Sequence, residues 1–383
     1  MEGLIIALFV CLVLLIITKY LSWPVIPFYI IAGIVLGASG LNIVQVSEAS
    51  TFFAELGLIF LLFFMGLEIK PERILSNQKT FFSSGLIDLN INMIIGFMGA
   101  YLLGFTLTES LVIASAFFIS STAMTVASLV ENKKLMMRES ETIVWMMVFE
   151  DIVLIIFLTL LSTSLANPLV FIGKIAVILL VFYLISHFGK KLIRKVINRD
   201  DELPVFLTFA AVVIIAFGSK AIGVPETLMV IAFGTALAST DPAAFEAQAR
   251  PFKDVFLIIF FVFFGVGVDF SGGIPVMLII AISILAIISK LISGLLIGKI
   301  VHGRTGSGIE IWANTIGRGE FSIALAALYG SPIVSSAIAA MVIITSIVGS
   351  FSAKYSGSLQ DLFMRGRKIK PDRVPAGNTE RTG

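Results

Sequence analysis

The chain has 383 residues, 58% of them hydrophobic and 14% charged, with a mean hydropathy of +1.03 and a formal net charge of +2. A water-soluble domain carries about 25% charged residues, so this composition excludes a soluble globule and specifies an all-α polytopic membrane protein. Scattered basic residues leave no nucleic-acid footprint, and the single cysteine, Cys11, excludes an intrachain disulfide and a cysteine metal cluster.

Met1-Glu2-Gly3 lacks the basic start of a signal peptide, and the apolar run that follows to Lys19 is long enough to span a bilayer, so it is expected to be a retained helix. Apolar runs separated by charged or Pro/Gly-bearing breaks give thirteen expected transmembrane segments, near 3–20, 24–38, 53–69, 81–105, 110–130, 142–162, 168–188, 203–219, 225–239, 254–270, 275–298, 308–329 and 333–353. Loops after the odd-numbered segments hold Lys19; Lys70, Arg73 and Lys79; Lys133, Lys134 and Arg138; Lys190, Lys191, Arg194, Lys195 and Arg199; Arg250 and Lys253; Lys299 and Arg304. The other side offers Lys174 and Lys220. By the positive-inside rule the N-terminus lies outside the cell membrane and the basic tail is cytoplasmic. The connector from Lys190 to Glu202 is a natural midpoint, expected as a short surface helix joining two halves.

Sequence echoes cross that midpoint. Phe63-Phe64-Met65-Gly66-Leu67-Glu68 of segment 3 returns as Phe263-Phe264-Gly265-Val266-Gly267-Val268-Asp269 of segment 10, and Ala32-Gly33 through Ser39 of segment 2 returns as Phe233-Gly234 through Ser239 of segment 9. The shared offset is seven segments, and an odd number of crossings turns the second copy upside down, the inverted-topology repeat of secondary transporters. The expected organisation is a first six-helix repeat over 1–165, a linker helix and basic cytoplasmic connector over 166–202, a second repeat over 203–354, and a short basic tail over 355–383.

Charged and polar residues inside these segments mark candidate functional positions, because a charge at the bilayer centre is expensive. In segment 4, Asp88 and Asn92 share a helix face; Asp88 is placed about a third of the way in, as part of an access funnel or as a snorkelling structural acid. Segment 5 carries the polar patch Ser120-Ser121-Thr122, and segment 12 carries Gly317-Arg318-Gly319-Glu320, both suited to a helix that unwinds at a cavity. Glu150 and Asp151 stand at the middle of segment 6, and Lys290 stands alone in segment 11. Successive helical residues point about 100° apart, so the two acids cannot share one cavity. Asp151 is expected to face an ion path and Glu150 to turn toward Lys290, the reverse assignment remaining open. Glu68 and Asp269 read as interfacial caps, and Glu139 and Glu141 as a cation-attracting mouth or a solvated helix start.

Five spaced motifs together resemble the Kef-type branch of the monovalent cation:proton antiporter-2 family: Phe149-Glu150-Asp151-Ile152; Ser120-Ser121-Thr122-Ala123; Glu55-Leu56-Gly57 leading to Gly66-Leu67-Glu68; Pro251-Phe252-Lys253-Asp254 followed by Phe263-Phe264-Gly265-Val266-Gly267; and Arg318-Gly319-Glu320-Phe321. The resemblance runs to about Lys354. It implies a thirteen-helix homodimer in the lipid bilayer with segments 5 and 12 crossed and unwound, Asp151 as the carboxylate that binds cation and proton, the Ser120 to Thr122 backbone nearby, and Lys290 at the basic position. It tips the expected cargo to K⁺, with Na⁺ next. Two departures stand out: many Kef relatives have Gln at the position of Glu150, and about thirty residues follow the last segment where those relatives carry a nucleotide-binding domain. A separate cytosolic regulatory subunit, or pH alone, is the implied form of control.

A proton neutralises Asp151 and a monovalent cation there supplies the opposite charge, so the two compete, and alternating exposure exchanges them without any cofactor. The rival classes are a cation channel and a sodium-coupled symporter. Enzyme motifs fail in context: Gly37-Ala38-Ser39-Gly40 falls at the end of a segment, and Gly265 to Asp269 has one residue too many for an aspartyl protease.

Overall fold

The computed structural model describes residues 2–21, 25–68, 78–162, 168–268, 270 and 275–364, and all regular structure among them is helical. In chain order the helices are α1 (Glu2–Leu21), α2 (Val25–Leu36), α3 (Glu48–Glu68), α4 (Gln78–Leu102), α5 (Leu107–Phe118), α6 (Thr122–Glu131), α7 (Arg138–Ser162), α8 (Pro168–Ile197), α9 (Leu203–Ile222), α10 (Glu226–Ala238), α11 (Pro242–Gly267), α12 (Val276–Val301), α13 (Thr305–Thr315), α14 (Glu320–Tyr329), α15 (Pro332–Lys354) and α16 (Ser356–Met364). By length and composition, six stretches among the described residues can cross a membrane: 3–20, 48–68, 78–102, 107–130, 276–301 and 332–354. Lys70, Arg73, Asp269 and the tail beyond Met364 lie outside the described residues, as do the side chains of Lys174 and Lys220.

Every expected segment falls on helix, and the differences lie at the ends and in the middle. Segments 5 and 12 are each two helices, broken at residues 119–121 and 316–319. The connector after Lys190 is not a separate surface helix. α8 continues without interruption into its first part, to Ile197, because its lysines and arginines sustain a helix already nucleated. Arg194 holds this extension in place, donating to the Thr240 carbonyl at the end of α10 at 2.8 and 3.2 Å. α11 starts well before the apolar run expected from residue 254, at Asp241-Pro242, where the Asp241 carboxylate accepts from the Ala244 N–H and proline sits in the first turn. Segment boundaries drawn from hydropathy omit such polar helical turns. α16 was not foreseen within the expected tail.

Several helix crossings are made backbone to backbone, and two of them pair glycines of the expected repeats. A Cβ on Gly33 of α2 would strike the Val262 carbonyl of α11, and one on Gly265 would strike the Ile30 carbonyl. The same holds for Gly66 of α3 against Ile231 of α10, and for Gly234 against Phe63. In a membrane, where lipid is as apolar as leucine, close approach of small residues is a principal source of helix association. Around these crossings Phe60, Phe63 and Phe261 are fully buried. α4 and α12 meet elsewhere through buried polar groups; α5 packs on α4, α13 packs on α12, and α15 touches all four half-helices as well as α12.

Gly66→Val places methyl groups where the α10 backbone already lies, so the helices must separate; a loss of about 2–3 kcal/mol is expected. Thermal unfolding of the purified protein in detergent checks it, with Gly218→Val, whose Cβ would meet nothing within 4 Å, as the control.

Candidate functional site

The two breaks touch one another. The Ser121 N–H, where α5 has ended and α6 has not begun, donates to the Gly317 carbonyl at 2.8 Å. The Ser121 hydroxyl accepts from the Met124 N–H as the cap of α6 and donates to Glu320 Oε2 at 3.1 Å. A β-carbon at residue 319 would collide with the Ser121 side chain, so glycine there is a requirement of close approach. Ser322 donates to the Ala116 carbonyl at 3.1 Å, tying the start of α14 to α5. Arg318 is fully buried and answers the freed end of α13: its guanidinium donates to the carbonyls of Thr315 (3.1 Å), Ile316 (2.8 Å) and Ala286 (3.2 Å). A cation at a helix C-terminus is favoured by the helix dipole, and a planar five-donor fork suits several carbonyls at once. Thr345 and Ser346 of α15 hold the Arg318 backbone, accepting from its N–H at 3.3 Å and donating to its carbonyl at 2.9 Å.

Lys290 of α12 lies between two carboxylates. Its ammonium is 2.6 Å from Asp88 Oδ2 on α4 and 2.8 Å from Glu150 Oε1 on α7, and none of the three side chains is more than 1% exposed. Each acid is met by three donors. Glu150 accepts from Lys290, from the Ser120 N–H at 2.5 Å and from the Ser120 hydroxyl at 3.0 Å. Asp88 accepts from Lys290, from Ser293 Oγ at 2.7 Å and from Asn92 Nδ2 at 2.9 Å, while the Asn92 carbonyl oxygen accepts from Ser289 at 2.7 Å. Buried ions persist only with such compensation.

Asp151 stands in the opposite condition. It is 8% exposed, and among the described residues no hydrogen bond or ion pair reaches its carboxylate. It faces a cavity of about 130 Å³ whose wall includes Met65 and Glu68 of α3, Thr122 and Val126 of α6, and Met147 of its own helix. Glu68, Glu150 and Glu320 are its charged neighbours.

The geometry redistributes the residues singled out in the sequence. Glu150 turns to Lys290 and Asp151 to the cavity, as their 100° separation implied. Asp88 is neither a funnel residue nor a snorkelling acid, because its carboxylate is wholly buried and bonded to Lys290; depth counted along one apolar run cannot register a partner on another helix. Of the Ser120 to Thr122 patch, Thr122 lines the cavity, whereas Ser120 serves Glu150 and Ser121 serves Glu320. Glu68, expected as an interfacial cap, lies in the cavity wall. Ser289, Ser293, Thr345 and Ser346 were missed, and the one available signal was the pair of serines flanking Lys290. At the mouth, Glu139 accepts from Ser307 Oγ at 2.6 Å and Thr142 bonds His302 Nε2 at 2.9 Å. Burial alone would raise the Glu139 pKa, but the Ser307 hydroxyl, its own backbone N–H and the charges of His302 and Arg304 outweigh it and hold the acid below its ordinary 4.5.

Residues 4–355 match the family model described as "Sodium/hydrogen exchanger, transmembrane". The chain is 30% identical over 382 residues to the K⁺/H⁺ antiporter subunit KhtU of Bacillus subtilis, covering 94% of each. It is 25% identical to the ammonium/H⁺ antiporter subunit AmhT of Alkalihalophilus pseudofirmus, again over 94% of each. The fold matches the sodium proton antiporter MjNhaP1 of Methanocaldococcus jannaschii with a TM-score of 0.67, over 94% of this chain and 98% of that one, at 18% identity.

Lys290→Met should destabilise the protein by about 3 kcal/mol or more, since it strands two buried carboxylates, and adding Asp88→Asn should recover part of that loss; melting temperatures of the single and double variants test the coupling. Because the folded pKa of Glu139 is depressed, its contribution to stability is complete above about 4.5 and is lost as pH falls through the lower folded value. Ser307→Ala should therefore lower the melting temperature at neutral pH, with the difference from wild type vanishing in acid.

Proposed function

The chain belongs to the sodium/hydrogen exchanger family, and we propose that it exchanges a monovalent cation for protons at Asp151 by alternating access, with K⁺ as the favoured cargo ahead of Na⁺. One observation carries the assignment: Asp151 is a carboxylate more than nine-tenths buried, unpaired among the described residues, and open to a cavity of about 130 Å³, with room for a cation and water. Burying an unpartnered acid has no structural benefit, whereas a group that holds a proton and a cation in turn must be free of permanent partners. Hydroxyl and carbonyl oxygens are hard ligands that suit an alkali cation, and Thr122 is the one placed in the cavity wall. The favoured ion rests on the Kef-type motifs and on the name of the KhtU relative.

Glu150 is not a ligand in this reading. Its three donors leave it a structural counter-ion, and Lys290 stays paired with Asp88 and Glu150 whichever cargo Asp151 holds. The exchange is accordingly one proton for one cation, and electroneutral.

We read the chain as thirteen crossings, with α5–α6 and α13–α14 each forming one interrupted crossing and α16 lying beyond the last, and as two inverted repeats about α8. The glycine crossings support the repeat: Gly33 with Gly265 and Gly66 with Gly234 exchange places under an offset of about two hundred residues. The N-terminus is outside the cell membrane and the C-terminus cytoplasmic, from the distribution of Lys and Arg. The cavity lies beside the C-terminal end of α3, which in this orientation is the cytoplasmic side, and that supports reading it as an inward opening. A homodimer is the proposed unit, with a separate cytosolic subunit for control; the word "subunit" in the names of both relatives supports the latter.

Asp151→Asn should abolish exchange with expression and melting temperature retained. Proteoliposomes with an internal pH dye, given K⁺, Na⁺ or Li⁺, decide it: cation-driven proton flux in the variant, or a cation conductance without flux in the wild type, would overturn the assignment.

A further inference from the structure

Lys134 follows the end of α6, where Lys133 takes a left-handed backbone (φ 57°) and the Lys134 N–H returns to the Leu129 carbonyl at 2.8 Å. That conformation past a helix end usually belongs to glycine or asparagine, because a β-carbon is disfavoured there. Here it swings Lys134 beneath the helix ends. The ammonium, on a side chain 13% exposed, stands 2.6 Å from Glu310 Oε1 on α13, and donates to the Ala353 carbonyl at 2.7 Å and to Ser356 Oγ at 2.6 Å. Glu310 is 3% exposed; its other oxygen accepts from Gln360 Nε2 at 3.0 Å. α16, which carries Ser356 and Gln360, thus bonds to both members of the pair.

From Glu310 the connection continues to the cation path. Asn314 Nδ2 donates to Glu310 Oε1 at 2.9 Å, the Asn314 carbonyl accepts from Thr125 at 2.9 Å, and its side-chain oxygen accepts from Ser128 at 3.2 Å. Thr125 and Ser128 lie on α6, the half-helix that contributes Thr122 and Val126 to the cavity wall. None of these groups is hydrogen-bonded or ion-paired to Asp151 among the described residues. Far from the cavity wall, the bond between Ser331 Oγ and Glu109 Oε1 (2.6 Å) does the corresponding job for α5 and the turn after α14.

We propose that Lys134 and Glu310 are positioning residues for the cation path: their ion pair fixes α6 against α13, and so one wall of the Asp151 cavity, while α16 sets the grip of the pair and is the element through which control of exchange reaches the ion. The proposal rests on the exchange reading above. Loosening the pair leaves Asp151 and the Lys290 cluster intact but lets the wall shift, which weakens cation binding before it slows turnover.

Full-length protein in proteoliposomes, assayed for K⁺-driven proton flux, tests this beside backbone amide exchange of α6 in the same samples. Glu310→Gln should raise the KM for K⁺ roughly tenfold with kcat changed less than about twofold, a split that a general loss of folded protein does not produce. Lys134→Met with Glu310→Gln should be no worse than the worse single variant. The combined variant Ser356→Ala, Gln360→Ala should shift KM in the same direction by about threefold, and α6 amides should exchange faster in each. Unchanged KM and unchanged α6 exchange in Glu310→Gln would overturn the proposal, and if that variant does not fold, the same result in the α16 variant overturns it alone. Wild-type protein without cation-driven flux removes the exchange reading, while α6 amide exchange still decides whether the pair holds the half-helix.

Discussion

The rest of the site depends on one lysine with two acids. A buried ammonium costs several kcal/mol unless it is paired and hydrogen-bonded, and Lys290 meets that condition only where α4 and α7 both reach it. Its position therefore fixes three helices at one depth. The consequence extends further, because Glu150 also accepts the Ser120 N–H that the break between α5 and α6 would otherwise leave unsatisfied. The same ion cluster that satisfies the lysine also makes the interruption of a helix tolerable inside the membrane. Arg318 performs the matching service at the second break by a different route, addressing carbonyl oxygens where Glu150 addresses an N–H.

Adjacent residues can thus hold opposite roles. Glu150 is held by three donors, and Asp151, one step along the same helix, has no hydrogen-bond or ion-pair partner among the described residues and faces a cavity. The 100° turn of the α-helix separates a paired charge from an unpaired one with no intervening residue, the separation on which the proposed exchange relies. A protein that must change the charge at one point of its interior without disturbing the rest needs such a separation.

Much of this was legible from hydropathy and charge. The helical segments follow from apolar runs, and the intramembrane acids, Lys290 and the Gly-Arg-Gly break announced themselves because charge in lipid is costly. What could not be read was lateral: which helix stands beside which. Asp88 illustrates the limit, since its sequence neighbours reveal its depth along α4 but not that α12 delivers Lys290 and Ser293 to it. Glu310 was passed over for a related reason, lying near the start of a segment where a carboxylate reads as solvated although Lys134 and Gln360 of α16 bond to it and it is 3% exposed. Helix ends such as that of α8 escaped because polar residues that continue a helix look the same as residues that leave it.

The glycine crossings bear on mechanics. Where α2 meets α11 and α3 meets α10, main chain rests on main chain, with no side chain between them to change rotamer. Such contacts lose no side-chain entropy on forming and offer no soft torsions through which one helix can slide past the other. These four helices should behave as a stiff panel whose internal spacing is insensitive to temperature and bilayer thickness, a fixed frame against which any moving part of the molecule must do its work.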